Sequence, residues 1–301
     1  MTKPFKSIDE QVELLNVRGV QTDNMTGIIL LREGYYPVVN GYKEPFINLA
    51  ETRAVGDDRF IEGTKFDDIY TLFLFDRALR ETTFHFTIEM EALFRNACIY
   101  SFANIHRGIE DYLMAENYVD KTDYIARGLK DYDKDLFELQ KVLRHKAKHS
   151  GRSSIKHHRE TYGRVPLWVL GTDLTFGNME HFFNLMKEGE RNAVCRSIVE
   201  ATGQKGGKQG YLAPKQVSSD INTIVKVRNM CAHDERLYCA RIGRRKNVDF
   251  SGFMMCSRRY MSESEFERFK KDILSIIKMF SDKSEMVFHI TAKMGLAANL
   301  A

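Results

Sequence analysis

The chain has few residues that break helices and few that crosslink or anchor a fold. Only five prolines fall in 301 residues, so long uninterrupted helices are permitted. The five cysteines, Cys98, Cys195, Cys231, Cys239 and Cys256, are an odd number, widely spread, with no CxxC. That pattern argues against a disulfide framework and reads as reduced thiols in a reducing compartment. No apolar run approaches the ~20 residues that span a bilayer; runs such as Gly27–Leu31 and Leu167–Leu170 are far shorter. The opening MTKPFKSIDEQ has no apolar h-region, so no secretory signal is expected, and the chain reads as cytoplasmic with no membrane partner. There is no P-loop, GxGxxG or GxSxG, no internal repeat and no low-complexity tract. No cofactor is called for.

What is present is the composition of an ordinary folded protein, 43% hydrophobic and 29% charged. A compact chain of this length buries roughly three-quarters of its unfolded surface. The formal charge of +4 is mildly basic; it tolerates a polyanionic partner without demanding one.

The pattern is all-α. A lead-in over residues 1–60 precedes a helical domain over 61–301, or the two form one continuous domain. In the lead-in, Ser7 caps a helix that Gly19 stops, and a second helix runs from about Asp23 to Gly34. GYYPVVNGYKEPF then reads as a packed loop, and 50–64 as polar and loop-like. Phe66 to Ile105 reads as one long helix, with Leu72, Leu79, Phe86, Leu93 and Tyr100 seven apart. Within it Glu91 and Arg95 share a face; they form a plain ion pair or stand beside the helix that carries Arg228. Residues 107–122 read as a short helix and a turn, and a charged helix is expected from Thr122 to His149.

The end of that helix merges into the most basic run of the chain. Lys141, Arg144, Lys146, Lys148, Arg152, Lys156, Arg159 and Arg164 face only Glu160, with four histidines interspersed. Arg144, Lys146, Lys148, Arg152, Lys156 and Arg159 are candidates for contacting RNA phosphates; the alternative is a solvated mobile loop. A metal pair at His145 and His149 lacks nearby carboxylates or thiols. Pro166 opens a short apolar helix with Trp168 as its core anchor, and Thr175 or Asn178 caps the next. A glycine-rich turn comes at 203–210. A polar segment with a short β-like excursion precedes a last helix at about Ser262–Phe280.

The most informative stretch is Val217–Leu237, VSSDINTIVKVRNMCAHDERL. Ser218, Ser219 and Asp220 supply N-cap chemistry, and Ile221, Ile224, Val225, Val227 and Met230 keep a helical period. Into this apolar helix the chain sets Arg228, Asn229 and His233. Polar groups in a buried-looking helix need partners or a task. At ~100° per residue Asn229 and His233 share a face, flanked by Arg228. Spacing alone is weak, since Arg80–His85, Arg144–His149 and Arg152–His157 repeat it. Context singles out Arg228: the adjacent Asn229, and small Cys231 and Ala232 before His233.

Five blocks then occur in one order: KPFKSIDEQVELLNVRGV, GYYPVVNGYKEPF, LFLFDRALR leading into IEMEALFRNA, PLWVL with TFGNME, and VRNMCAHDERL. Together they resemble the AbiD/AbiF-like abortive-infection proteins of bacteria, from about Lys3 to Leu237. The resemblance implies a multi-helix bundle like that of the HEPN nucleases, with the Arg-Asn-x-x-x-His motif on Arg228, Asn229 and His233. It also implies a homodimer with a composite cleft, a role in phage defence, and for some relatives an antitoxin of RNA or protein.

These side chains suit metal-independent RNA cleavage. A histidine moves protons near neutral pH. An arginine fork holds phosphate oxygens. An asparagine bonds a ribose or phosphate oxygen, or fixes the histidine. Two alternatives stand beside this. In one, Arg228 pairs with a carboxylate such as Glu91, His233 is a satisfied structural residue, and the chain is a non-catalytic RNA-binding or protein-interaction module. In the other, Cys231, His233, Cys239 and Cys256 hold zinc.

Overall fold

The computed structural model describes residues 4–204, 211–243 and 247–296. Among these the chain is all-α, as expected. Its helices are α1 (Ile8–Val17), α2 (Thr26–Glu33), α3 (Leu49–Val55), α4 (Phe66–Ile105), α5 (Lys121–Ala126), α6 (Tyr132–His149), α7 (Ser153–Tyr162), α8 (Leu167–Leu170), α9 (Phe176–Leu185), α10 (Glu188–Thr202), α11 (Pro214–Ala232), α12 (Phe250–Ser257), α13 (Glu263–Ser281) and α14 (Glu285–Lys293). The only extended pairings among the described residues are three isolated bridges. Two compact units result. One holds the residues through Thr82, His233–Ala240 and those from Lys270 on; the other holds Thr83–Ala232 and Arg241–Phe269.

In the first unit Ser7 caps α1 through a reciprocal box: its hydroxyl accepts the Glu10 N–H, and the Glu10 carboxylate accepts the Ser7 N–H. Buried Arg18 closes the helix and grips Asp57 with two nitrogens, at 2.6 and 3.1 Å. Two expectations are corrected here. GYYPVVNGYKEPF is a π-helical turn over Tyr36–Asn40 and a 3-10 turn over Glu44–Phe46. Pro37 is accommodated because first-turn N–H groups lack intrahelical partners anyway. The polar stretch after Asn48 begins with α3, because Asn48 caps it and Gly56 closes it in the left-handed conformation at φ +76°.

Helix α4 has the expected bounds. Its seven-residue stripe does not stay on one face, since a straight α-helix drifts ~20° per heptad. Leu72, Leu79 and Phe86 are buried, Leu93 is half-buried, and Tyr100 is 68% exposed. Toward its end the buried stripe moves to Phe94, Cys98 and Phe102.

The second unit gathers aromatic rings around α4. Phe86 lies 4.6 Å from Phe269, Phe94 packs on Phe176 and Phe183, and Phe102 on Phe182. Cys98 is enclosed here; burial, with Cys195 nearby, pushes its thiol well above the ordinary range. Burial pushes the Cys195 thiol up to about 12.

Other boundaries also differ from expectation. The helix expected over 122–149 is split into α5 and α6, because Gly128 and Asp131 adopt positive φ between them. Residues 107–122 hold two 3-10 turns, Asp111–Leu113 and Ala115–Asn117. Helix α11 starts at Pro214, so Ser218–Asp220 lie inside it and are not its cap. Asp220 is buried and takes both arms of Arg259, at 2.6 and 2.8 Å. The β-like excursion appears as the Ile242–Val248 bridge, and α13 has nearly the bounds expected of the final helix, but it is not the last, since α14 follows it. The turn expected at 203–210 lies outside the described residues from 205 on.

Phe86 and Tyr100 share the sequence repeat but not the environment. Phe86→Ala should lower stability by about 3–5 kcal/mol, and Tyr100→Ala by within about 0.5 kcal/mol. Urea denaturation of both variants checks this, and equal losses would contradict the drift.

Candidate functional site

In the second unit Arg228 projects from α11 toward α4. Its Nε lies 3.4 Å from Glu91 Oε2. Its guanidinium sits over the Phe84 ring, 5.5 Å from the centroid. Its Nη1 donates to Asn229 Oδ1 at 3.4 Å. Glu91 is buried, and its other oxygen accepts from Arg95 Nη2 at 2.5 Å. One carboxylate therefore faces two guanidinium groups. Both sequence readings of Glu91 are realised at once: it pairs along its own helix with Arg95 and across to Arg228. The contact to Arg228 is ionic, because Nε is buried without a hydrogen-bond partner among the described residues. Glu91 holds the inner nitrogen, while Nη1 is turned to Asn229.

His233 belongs to the first unit. It lies just past α11, in a turn, and is exposed, so the helical face expected to join it to Asn229 ends at Ala232. The next residue, Asp234, has φ +57°, a left-handed backbone that aspartate tolerates better than most. The backbone at Leu237 and Tyr238 is pinned by Asp76, a residue that the sequence reading missed. Asp76 on α4 is fully buried. It accepts from the Tyr42 hydroxyl at 2.7 Å, from Arg80 Nη1 at 2.7 Å, and from the Tyr238 and Leu237 N–H groups at 2.7 and 3.1 Å. Burial pushes the Asp76 carboxyl upward and those four donors oppose it. Arg80 also donates to Tyr42 at 2.9 Å and reaches Asp234 at 3.5 Å.

Beside this network a cleft of about 780 Å³ is lined by Tyr36, Tyr42, Arg77, Arg80, His233, Asp234 and Arg236, among others. Arg77 is held by both oxygens of Glu33 and lies 4.5 Å from the Phe73 ring centroid. Arg236 donates to the Gly41 carbonyl at 2.9 Å. Three of the five sequence blocks meet in this cleft. A signal that could have pointed to it is the trio of charges, Asp76, Arg77 and Arg80, set inside the apolar stretch LFLFDRALR.

The sequence model of the family described as Abi-like protein matches residues 28–239. This chain belongs to the Abi-like family. Membership points to a role in abortive infection, the bacterial defence against phage. Neither the curated proteins nor the solved structures contain a match. The matched span takes in Asp76, Arg80, Glu91, Arg95, the basic run and the Arg228–His233 stretch of the Abi-like chain.

The basic run is two helices, α6 and α7, not a loop. Lys146 and Arg152 both bind Asp173, at 3.1 and 2.9 Å. Arg159 donates to the Ala147 and Ser150 carbonyls at the end of α6. Arg144 donates to the Leu113 carbonyl, and Lys156 stands 3.9 Å from Glu160. Lys148 is exposed, with no ion pair among the described residues. Burial works against the Asp173 charge, but the hydrogen bonds from Lys146 and Arg152 outweigh it and hold the carboxyl below its ordinary value.

Among the described residues no three His, Cys, Asp or Glu side chains form a group that could hold a metal. Cys231, His233, Cys239 and Cys256 are not brought together as a zinc set. No helix among the described residues is long and apolar enough to cross a membrane.

Two measurements test these assignments. Asp76→Ala strands a buried arginine and should cost about 3–5 kcal/mol in urea denaturation. Adding Arg80→Met should recover part of it, whereas a fully additive double variant would show that the two do not interact. For Asp173 a depressed carboxyl contributes stability above its unfolded value, and that stability is lost as pH falls through the folded one. Asp173→Asn should therefore be less stable than wild type at pH 7, with the gap closing below about pH 4; a gap independent of pH would refute the clamp.

Proposed function

We propose that this Abi-like chain is a metal-independent endoribonuclease of the HEPN type, with Arg228, Asn229 and His233 as its catalytic residues. The observation that carries the reading is the pairing of Arg228 with Asn229 at the end of α11, with Glu91 holding the arginine from behind. An arginine oriented in this way contacts a phosphate with less loss of side-chain freedom. Glu91 and Arg95 are positioning residues.

The chemistry needs one base and one acid. A histidine takes the ribose 2′-hydroxyl proton, and the oxygen attacks the adjacent phosphorus. The 5′-oxygen leaves and is protonated, giving 2′,3′-cyclic phosphate and 5′-hydroxyl ends. Arg228 neutralises charge building on the phosphate oxygens, and Asn229 bonds an adjacent oxygen. Each chain supplies one His233, so a homodimer provides the second for the acid step. The basic run carries the RNA backbone, chiefly through Lys148 and Lys156, with Arg144, Lys146, Arg152 and Arg159 contributing charge from their clamped positions. An RNA or protein antitoxin fits a toxin-antitoxin arrangement of such an enzyme.

A second reading has its own observation. Glu91 already pairs ionically with Arg228, as expected of a purely structural arginine. The chain would then be a non-catalytic RNA-binding or protein-interaction module of the defence system.

Purified wild type, His233→Ala and Arg228→Ala should be incubated with total bacterial RNA in EDTA, and the cut ends mapped. Wild type should leave cyclic-phosphate ends, and His233→Ala should be at least about 100-fold slower. Products with 3′-hydroxyl ends, or equal cleavage by His233→Ala, would sink the nuclease reading.

A further inference from the structure

Trp168 reads from sequence as a core anchor, but its side chain is 55% exposed. The reason is local. Helix α8 has only four residues, and Leu167 and Leu170 are the two that it buries. Its turn is held at both ends: the buried Tyr112 hydroxyl donates to the Val165 carbonyl at 2.8 Å, and Asp173 is clamped by Lys146 and Arg152. The Pro166 carbonyl accepts the N–H groups of Val169 and Leu170. The chain's sole tryptophan therefore projects outward from a rigid, pinned support.

The surroundings match it. Helices α6, α7 and α8 pack on one another within the second unit. Tyr162, at the end of α7, is 65% exposed, and its ring lies 5.3 Å from His158 and 6.0 Å from His157. Lys148, Lys156 and Arg164 are exposed on the same three-helix region and the segment that joins α7 to α8. Neither Lys148 nor Arg164 has an ion pair among the described residues. Exposed rings among cations bind unpaired bases by stacking while the cations track the phosphates. A duplex hides its base faces and offers phosphates alone.

We propose that Trp168 and Tyr162, with Lys148, Lys156 and Arg164, form a platform for single-stranded RNA. This rests on the reading of the chain as a protein that acts on RNA, and it assigns the strand state of that RNA. It also separates two tasks within the basic run. Lys146, Arg152 and Arg159 hold the support together, and the exposed cations meet the ligand. Stacking on two rings is tolerant of base identity, so the platform selects unpaired strands rather than a sequence.

The lone tryptophan makes the test direct. The full chain carrying His233→Ala, so that a substrate persists, is titrated with a 12-nucleotide oligouridylate. Tryptophan emission and the anisotropy of a labelled copy of the RNA are both monitored. Emission should be quenched to saturation along the anisotropy curve, and a blunt duplex of equal length should quench far less. Trp168→Ala should weaken binding about tenfold, with unchanged far-UV circular dichroism. Lys148→Glu with Arg164→Glu should flatten the salt dependence. Binding without quenching, equal quenching by duplex, or no binding overturns the platform. Quenching by a chain whose wild type cuts no RNA removes the nuclease and keeps the platform; cleavage with unaltered binding in Trp168→Ala does the reverse.

Discussion

A carboxylate with almost no exposed surface constrains the first unit more than any other group. Taking such a charge out of water costs several kcal/mol unless donors surround it. Asp76 meets that requirement with donors from separate parts of the chain: the Tyr42 hydroxyl after the π-helical turn, Arg80 one turn along α4, and two successive N–H groups at Leu237 and Tyr238. Remove any of them and a buried polar group is left unmatched. The path of the backbone beyond His233 is therefore dictated by a side chain far away in sequence. Tyr42 and Tyr238, which both serve Asp76, also stack at 5.9 Å. The left-handed backbone at Asp234 persists because the residues just after it have no freedom to relax.

Glu91 poses a different problem in the second unit. It is buried too, but it divides two oxygens between two arginines, so positive charge is left over. Asp76 ties two side chains to two backbone N–H groups, whereas Glu91 pairs with side chains. Burial that fixes a main-chain path is a folding device. Burial that divides one carboxylate between two arginines orders those side chains. The same ion pair that a purely structural account needs is also what the proposed phosphate contact needs.

How much of this was legible in the sequence varies with the physics. Helix α4 was legible because forty residues passed without proline or glycine and kept a period. Gly128 was not, because a lone glycine in a charged stretch looks like a tolerated helix residue; only its positive φ ends α5. Helix α3 was missed because its caps at Asn48 and Gly56 decide it, not its polar interior. Trp168 was assigned to the core on residue type, whereas a four-residue helix with two buried leucines has no inward position left for it. Arg228 and Asn229 were visible as adjacent polar residues in an apolar helix, and Glu91 was visible as one option. The Asp76 network was not, since Arg80 alone is local and the other partners are 34, 161 and 162 residues away.

The buried thiols carry a kinetic consequence. Cys98 is enclosed, and its thiol is held in the protonated form far above neutral pH. Only a thiolate reacts quickly with alkylating reagents. Modification of Cys98 must then wait for the packing that encloses it to part, whatever the reagent concentration once opening limits the rate. The cysteine is a clock built into the second unit, and its tick reports how often the packing around it opens.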